Sequence, residues 1–206
     1  MPTTTKKTPT VYGATTTMIY QLYQGGYKDG AKLSALRHGL NIDDRRGEAA
    51  WPLIFSTLDA KFLSDGRHES YAENAAYAAL HCYAIYQQSV DGLIHASIYD
   101  SEKESRTLFE ALGTMRKADG TMPAGLERRM QALFATTDYD AIVRSIYQLV
   151  RLLKGTGTHK NIVIDFAKLA QDLYGCQFSS HEAKKIIMNW GRQYYWRGNQ
   201  SAETAE

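Results

Sequence analysis

Residues 126–154 read LERRMQALFATTDYDAIVRSIYQLVRLLK, and the apolar spacing is that of two amphipathic helices joined by a short turn. In the second, Tyr139, Ile142, Val143, Ile146, Leu149, Val150 and Leu153 recur at steps of three and four. At about 100° per residue they form one continuous stripe, which has to face a core. Arg144 and Arg151 project away from it, seven residues and therefore about 10 Å apart along the axis. In the first helix Leu126, Met130 and Leu133 face inward and Arg128 lies opposite them. Arg129 sits about 60° from that apolar centre, where it either braces a helix pair or meets a ligand. For Arg144 and Arg151 two readings stand side by side: solvating arginines paired with carboxylates, or cations of a binding surface.

Outward from this stretch nearly everything reads helical. The pattern predicts helices near Thr16–Gln24, Asp29–His38, Glu48–Leu63, Glu69–Gln88, Glu104–Lys117, Pro123–Ala135, Asp138–Lys154, Asp165–Tyr174 and Ser180–Arg197, with no competing strand system. Ser101 to Glu104, Thr137 to Asp140 and Ser179 to Glu182 fit the capping pattern of a hydroxyl followed three residues later by an acid. Pro123 suits a first helical turn, Gly155, Gly157 and Gly175 read as stops, and Asp165 reads as the N-cap of the helix that begins at Phe166. The fold class is therefore all-α, a compact helical bundle of two packed lobes. A flexible extension over 1–15 precedes an N-terminal lobe over 16–100; a C-terminal lobe with a basic face over 101–197 is followed by a flexible tail over 198–206. The lobe boundary is placed in DGLIHASIYD, Asp91 to Asp100.

The chain has 206 residues, 44% of them hydrophobic, enough for a well-buried core without covalent staples. Its two cysteines, Cys82 and Cys176, are too few for a disulfide framework and do not form a Cys-x-x-Cys pair, which fits a reducing cytoplasm. There is no signal-like apolar run and no membrane-length segment, so the expectation is a soluble, unexported protein without a membrane partner. Net charge is only +2, but it is unevenly spread: residues 121–197 hold eleven Lys or Arg against six Asp or Glu. Between Lys61 and Glu110 the balance reverses, eight acids to four bases, which suits either a partner protein or simple solubility.

Catalytic patterns are lacking. The six histidines show no zinc spacing, and there is no GxSxG elbow, phosphate loop or dinucleotide fingerprint. His81 and Cys82 lie in an alanine- and tyrosine-rich helix, where packing is their expected role. The reading is of a non-enzyme that needs no metal and no cofactor.

Basic residues beside aromatics are better represented. In SSHEAKKIIMNWGRQYYWRG, residues 179–198, Ala183, Ile186, Ile187, Trp190 and Tyr194 make the apolar stripe. Lys185 and Arg192 stand nearly opposite, again seven apart, with Lys184 to one side. Two helices thus each carry a pair of cations about 10 Å apart on the outward face, a spacing suited to tracking phosphates without reading bases. Tyr23, Tyr195 and Trp196 are candidates for base stacking, although most of the 14 tyrosines are expected in packing. The competing reading is a helical adaptor whose basic face binds an acidic protein.

LERRMQALFATTDYDAIVRSIYQLVRLLK, IDFAKLAQDLYG and IIMNWGRQYYW, in this order, resemble the CasB family, the small subunit of the type I-E CRISPR surveillance complex, Cascade. LSALRHG, EAAWPLIF and AAYAALHCYAIYQQ resemble its N-terminal lobe more loosely; Phe166 stands where the family often has Trp. The resemblance implies a non-catalytic, all-helical subunit present as two copies beside other Cascade subunits. It further implies contact with a guide-RNA-containing complex and with the target and displaced DNA strands of an R-loop. On this reading the family's basic positions correspond to Arg37, Arg128, Arg129, Arg151 and Arg192, while Arg144, Lys154, Lys184 and Lys185 are nominated by helix phase and local charge.

Overall fold

The structure, a computed structural model, describes residues 10–115, 123–157 and 162–203. Among them the chain is all-α, with no β-strand. In order the helices are α1 (Val11–Leu22), α2 (Gly30–His38), α3 (Trp51–Thr57), α4 (Tyr71–Tyr86), α5 (Leu108–Gly113), α6 (Leu126–Phe134), α7 (Tyr139–Gly155), α8 (Phe166–Cys176) and α9 (Ser180–Glu203). None is long and apolar enough to cross a membrane.

The phase read for residues 139–154 is the phase observed. Ile142, Ile146, Leu149, Val150 and Leu153 are buried, Tyr139 and Val143 are partly buried, and Arg144 and Arg151 are exposed. On α9, Ala183, Ile187, Trp190 and Tyr194 are buried and Lys184, Lys185 and Arg192 face solvent. Boundaries shift where capping chemistry differs from the expected pattern. The Thr10 side chain accepts a hydrogen bond from Gly13 N, so α1 begins at Val11, inside the stretch expected to be a flexible extension. The expected helix over Glu48–Leu63 divides: Asp44 caps a 3₁₀ segment at Arg45–Ala50, Pro52 opens α3, and Asp59 caps a second 3₁₀ segment at Ala60–Phe62. The predicted Glu104–Lys117 helix starts instead at Leu108, because Thr107 and Glu110, not Ser101 and Glu104, form the capping box; Lys117 lies outside the described residues. Asp138, one residue after Thr137, caps α7. Pro123 precedes α6 rather than opening it, and Gly175 lies within α8 instead of ending it. α9 runs to Glu203, past the expected Arg197, so it enters the segment expected to be a tail; residues 1–9 and 204–206 of the two expected flexible ends lie outside the described residues.

One hydrophobic core runs from Val11 on α1 to Tyr194 on α9. α4 is its axis: from Ala72 to Tyr86 all but Asn74 are buried, and alanines let α1, α2, α7 and α8 approach closely. Tyr77 illustrates how tight this is. Its hydroxyl lies between the backbones of Gly39 and Gly47, where a Cβ on either glycine would collide with it. α8 packs on α1, α4 and α9 and so joins the first helices to the last.

Asp165 holds that junction. It is fully buried, and its carboxylate accepts from Lys168 N (2.9 Å) as the N-cap of α8, from Ile98 N (2.9 Å) and from the Tyr12 hydroxyl (2.7 Å) on α1. Its own amide donates to Arg106 O at 2.9 Å, and Ile164 N donates to Ile94 O at 3.2 Å. The segment from Asp91 to Asp100, read as a lobe boundary, is therefore tied by backbone bonds into the start of α8. Burial, and then the Asp165 carboxylate, push the Tyr12 hydroxyl well above the ordinary tyrosine range, against a smaller opposing pull from its hydrogen bond with Ser97.

Two buried histidines brace the same interior. The His81 Nδ1–H on α4 donates to Leu36 O (2.6 Å) and Gly39 O (2.9 Å), and its ring stacks on Tyr147 of α7 with centroids 4.0 Å apart. His95 Nδ1 lies 3.1 Å from Ile164 O. Burial holds both imidazoles below the ordinary histidine range, hence neutral.

Both features have measurable consequences for stability. Asp165→Asn should lower unfolding free energy by about 3 kcal/mol in urea titrations, since one ionised acceptor serves three donors in three segments; a loss no larger than that of an isolated cap would deny Asp165 this role. For the histidines the unfolded chain takes up protons near pH 6.5 while the folded chain takes them up only at lower pH. Stability should then be complete above about pH 6.5 and fall below it, by at most about 1.4 kcal/mol per pH unit for each imidazole. His81→Gln should flatten that slope between about pH 6.5 and 5.5, measured as proton uptake on unfolding.

Candidate nucleic-acid interface

The nine basic residues singled out in the sequence are distributed over several places. Arg37 lies in the last turn of α2 and Arg151 and Lys154 in the last turns of α7; with His38, Ile85, Gln88 and Gly155 they line one open groove of about 530 Å³. Sequence spacing carries no sign of this convergence, because Arg37 is more than a hundred residues from the other two. Burial of Leu33 and Leu36 sets the rotation of α2, and the α7 stripe sets that of α7. Both helices pack on α4, which brings their cationic ends together.

The groove is built where α2, α4 and α7 all end, at His38, Tyr86 and Gly155. Helix C-termini present unpaired carbonyls and the negative end of the helix dipole, a setting that makes neighbouring cations less costly. Arg37 Nη1 reaches Ala84 O at 3.5 Å, and Lys154 Nζ donates to Gln88 Oε1 at 2.6 Å. Neither makes an ion pair with a carboxylate among the described residues, and Arg151 is exposed with none either. Partial burial pulls Arg37 below the usual guanidinium range, and burial followed by repulsion from Arg37 pulls Lys154 below the usual amine range. The groove is a set of like charges held close, with no ion-paired carboxylate among the described residues.

Arg144 has a different setting despite sharing a helix face with Arg151. Near the start of α7 it lies 4.0 Å from Asp138, in a second groove of about 440 Å³ whose walls include Asp43, Glu69 and Asp140. There the Asp43 carboxyl is pushed up by its hydrogen bond to Glu69, which in turn holds Glu69 down. The seam between α7 and the first helices is thus acidic at one end and basic at the other. Arg129 folds back along its own helix, its Nη1 donating to Gly125 O at 3.0 Å beneath a glycine in the left-handed region (φ 79°). Arg128 and Arg192 face outward on α6 and α9. Lys184 and Lys185 border a third, apolar groove; Lys185 lies 4.0 Å from Glu182. Of the proposed stacking aromatics, Tyr195 and Trp196 are exposed, whereas Tyr23 is half-buried and donates to Asp91 O at 2.6 Å. Among the described residues no three His, Cys, Asp or Glu gather as a metal site.

This all-helical chain, with its core axis at α4 and its cations on helix ends, matches over residues 32–195 the family described as CRISPR-associated protein Cse2. The chain belongs to the Cse2 family. Three solved structures share its fold. A chain of a CRISPR RNA-guided surveillance complex aligns with a TM-score of 0.68 at 20% identity, over 96% of this chain and 100% of that one. A CRISPR-associated Cse2-family protein from Thermus thermophilus gives 0.58 at 23%, over 90% and 97%, and CasB from Thermobifida fusca gives 0.55 at 24%, over 91% and 99%. At these identities the likeness is one of fold. No curated protein matches the chain. The Cse2 match includes all three cations of the α2/α7 groove and, apart from Trp196, both the loosely and the closely resembling segments of the sequence.

Mutual repulsion in the groove has a direct readout. Arg37→Ala should raise the titration midpoint of Lys154 toward that of a free lysine, followed by NMR of the labelled side chain; an unchanged midpoint would mean that the two charges do not sense each other.

Proposed function

We propose that this Cse2-family chain is the non-catalytic small subunit of a type I-E CRISPR surveillance complex, Cascade, acting in the cytoplasm, and that its α2/α7 groove holds nucleic-acid backbone. The observation that carries this reading is the convergence of Arg37, Arg151 and Lys154, from two helices distant in sequence, with no carboxylate paired to them among the described residues. A polyanion relieves such repulsion and releases its own counterions on binding. The full-length likeness to a chain of a CRISPR RNA-guided surveillance complex supports membership of such an assembly.

Arginine and lysine at this groove present donors to phosphate oxygens and no fixed geometry for base edges, so binding is independent of sequence. Pairing with the guide RNA supplies the sequence reading, and the small subunit stabilises the opened target, including its displaced strand, as an R-loop. Arg128 and Arg192 extend the backbone track across α6 and α9. Arg129 is engaged by its own helix start, and Arg144 faces carboxylates, so neither belongs to it. The remaining partners in this reading are other Cascade subunits and a second copy of the chain.

Salt titration of single-stranded DNA binding tests the groove. Three phosphate contacts at about −0.7 each give a contribution of about −2 to the slope of log K against log salt. Arg37→Ala/Arg151→Ala/Lys154→Ala should remove that portion of the slope while leaving helix content unchanged. A triple variant with the original slope would place backbone binding elsewhere.

A further inference from the structure

The third groove differs in kind from the basic one. Phe134, at the end of α6, and Ile187, Met188, Gly191 and Tyr195 on α9 form an almost wholly apolar floor in a depression of about 700 Å³. Gly191 keeps that floor low: the nearest atom a Cβ would meet is the Phe134 ring edge at 3.5 Å. Met188 is 53% exposed, and Trp196, next to Tyr195 on α9, is 68% exposed. An apolar helix face of this kind on a protein surface marks an interaction site, and methionine adapts its shape to an incoming side chain.

The rim is cationic. His181, Lys184 and Lys185 border the depression, and all three side chains are exposed. The only acid facing these lysines in an ion pair among the described residues is Glu182, 4.0 Å from Lys185. A bare phosphate chain gains nothing from an apolar floor, whereas a peptide with an apolar ridge and acidic flanks fits both floor and rim. No sheet edge exists among the described residues for an extended peptide to join, and a groove between two helices is shaped for a third helix.

We propose that the α6/α9 groove docks an amphipathic helix of a partner protein, its apolar ridge on Phe134, Met188, Gly191 and Tyr195 and its acidic flanks against Lys184, Lys185 and His181. This assigns Lys184 and Lys185 to protein recognition and is independent of backbone binding in the α2/α7 groove.

The probes are two labelled synthetic peptides of about 18 residues sharing one leucine ridge at steps of three and four, one flanked by glutamates and the other by lysines. Binding to the full chain is followed by fluorescence anisotropy. The acidic peptide should bind at least about tenfold more tightly than the basic one. Met188→Glu, and separately Gly191→Leu, which fills the floor from within, should each weaken it about tenfold or more without changing helix content or single-stranded DNA affinity. Lys184→Glu/Lys185→Glu should abolish the preference for acid, whereas the triple variant of the basic groove should leave peptide binding intact. Equal binding of the two peptides, or insensitivity to both floor variants, would overturn the proposal. Loss of DNA binding in Met188→Glu would assign the groove to nucleic acid instead, and a self-associated chain dispersed by Met188→Glu in sedimentation would assign it to a second copy; either result overturns a partner helix.

Discussion

Asp165 is a single buried carboxylate on which three separate segments close. Without a side-chain oxygen there, the amide of Ile98, the hydroxyl of Tyr12 and the first turn of α8 would each need another acceptor. Because α8 packs on α1, α4 and α9, fixing its N-terminus fixes the relation of the first helices to the last. The consequence reaches the surface. The rotations of α2 and α7 about α4, which bring Arg37 beside Lys154, are meaningful only in a core whose two ends are locked together. Burying an ionised group is costly, and full satisfaction of its oxygens is what makes it tolerable.

How much of this could be read from the sequence depends on whether the governing interaction is local. The stripes of α7 and α9 were legible because a helix's buried face repeats on its own period, and the Asp165 cap because capping joins residues three apart. The additional tasks of Asp165 were not legible, since Tyr12 lies 153 residues away. The first helix was expected to start at Thr16 and begins at Val11 for a specific reason: it opens on Thr10, whose side chain accepts from Gly13 N, with a glycine and not an acid three residues on, so the capping pattern gives no signal there. The division of Glu48–Leu63 into short pieces reflects competing caps at Asp44 and Asp59, which prevail over a continuous helix. Family likeness was legible through the order of degenerate segments, and the match over residues 32–195 agrees with it. The candidate cations were individually legible, but their grouping was not. Arg144 and Arg151 share a face by helical arithmetic and still fall into grooves of opposite character, because the walls opposite them come from other parts of the chain.

The two cationic regions also divide by what surrounds the charge. Around Arg37, Arg151 and Lys154 the neighbours are His38, Gln88, a single aliphatic side chain, Ile85, and the carbonyl ends of helices; around Lys184 and Lys185 they are mostly aromatic and aliphatic side chains. Equal formal charge therefore sits in unlike surroundings. A count of lysines and arginines over residues 121–197 registers one basic half, whereas the packing of α6 against α9 and of α2 and α7 on α4 makes two surfaces with separate chemistry.

The meeting of three helix C-termini at the basic groove bears on kinetics. Acceptors that steady the cations also compete for them: the Ala84 carbonyl and the side-chain oxygen of Gln88 already occupy part of the donor capacity of Arg37 and Lys154. On the proposed reading, an arriving phosphate displaces these weak internal contacts and on leaving is replaced by them with little rearrangement, so that the groove acts as a yielding rail along which a strand shifts register rather than as a clamp that must be unlocked.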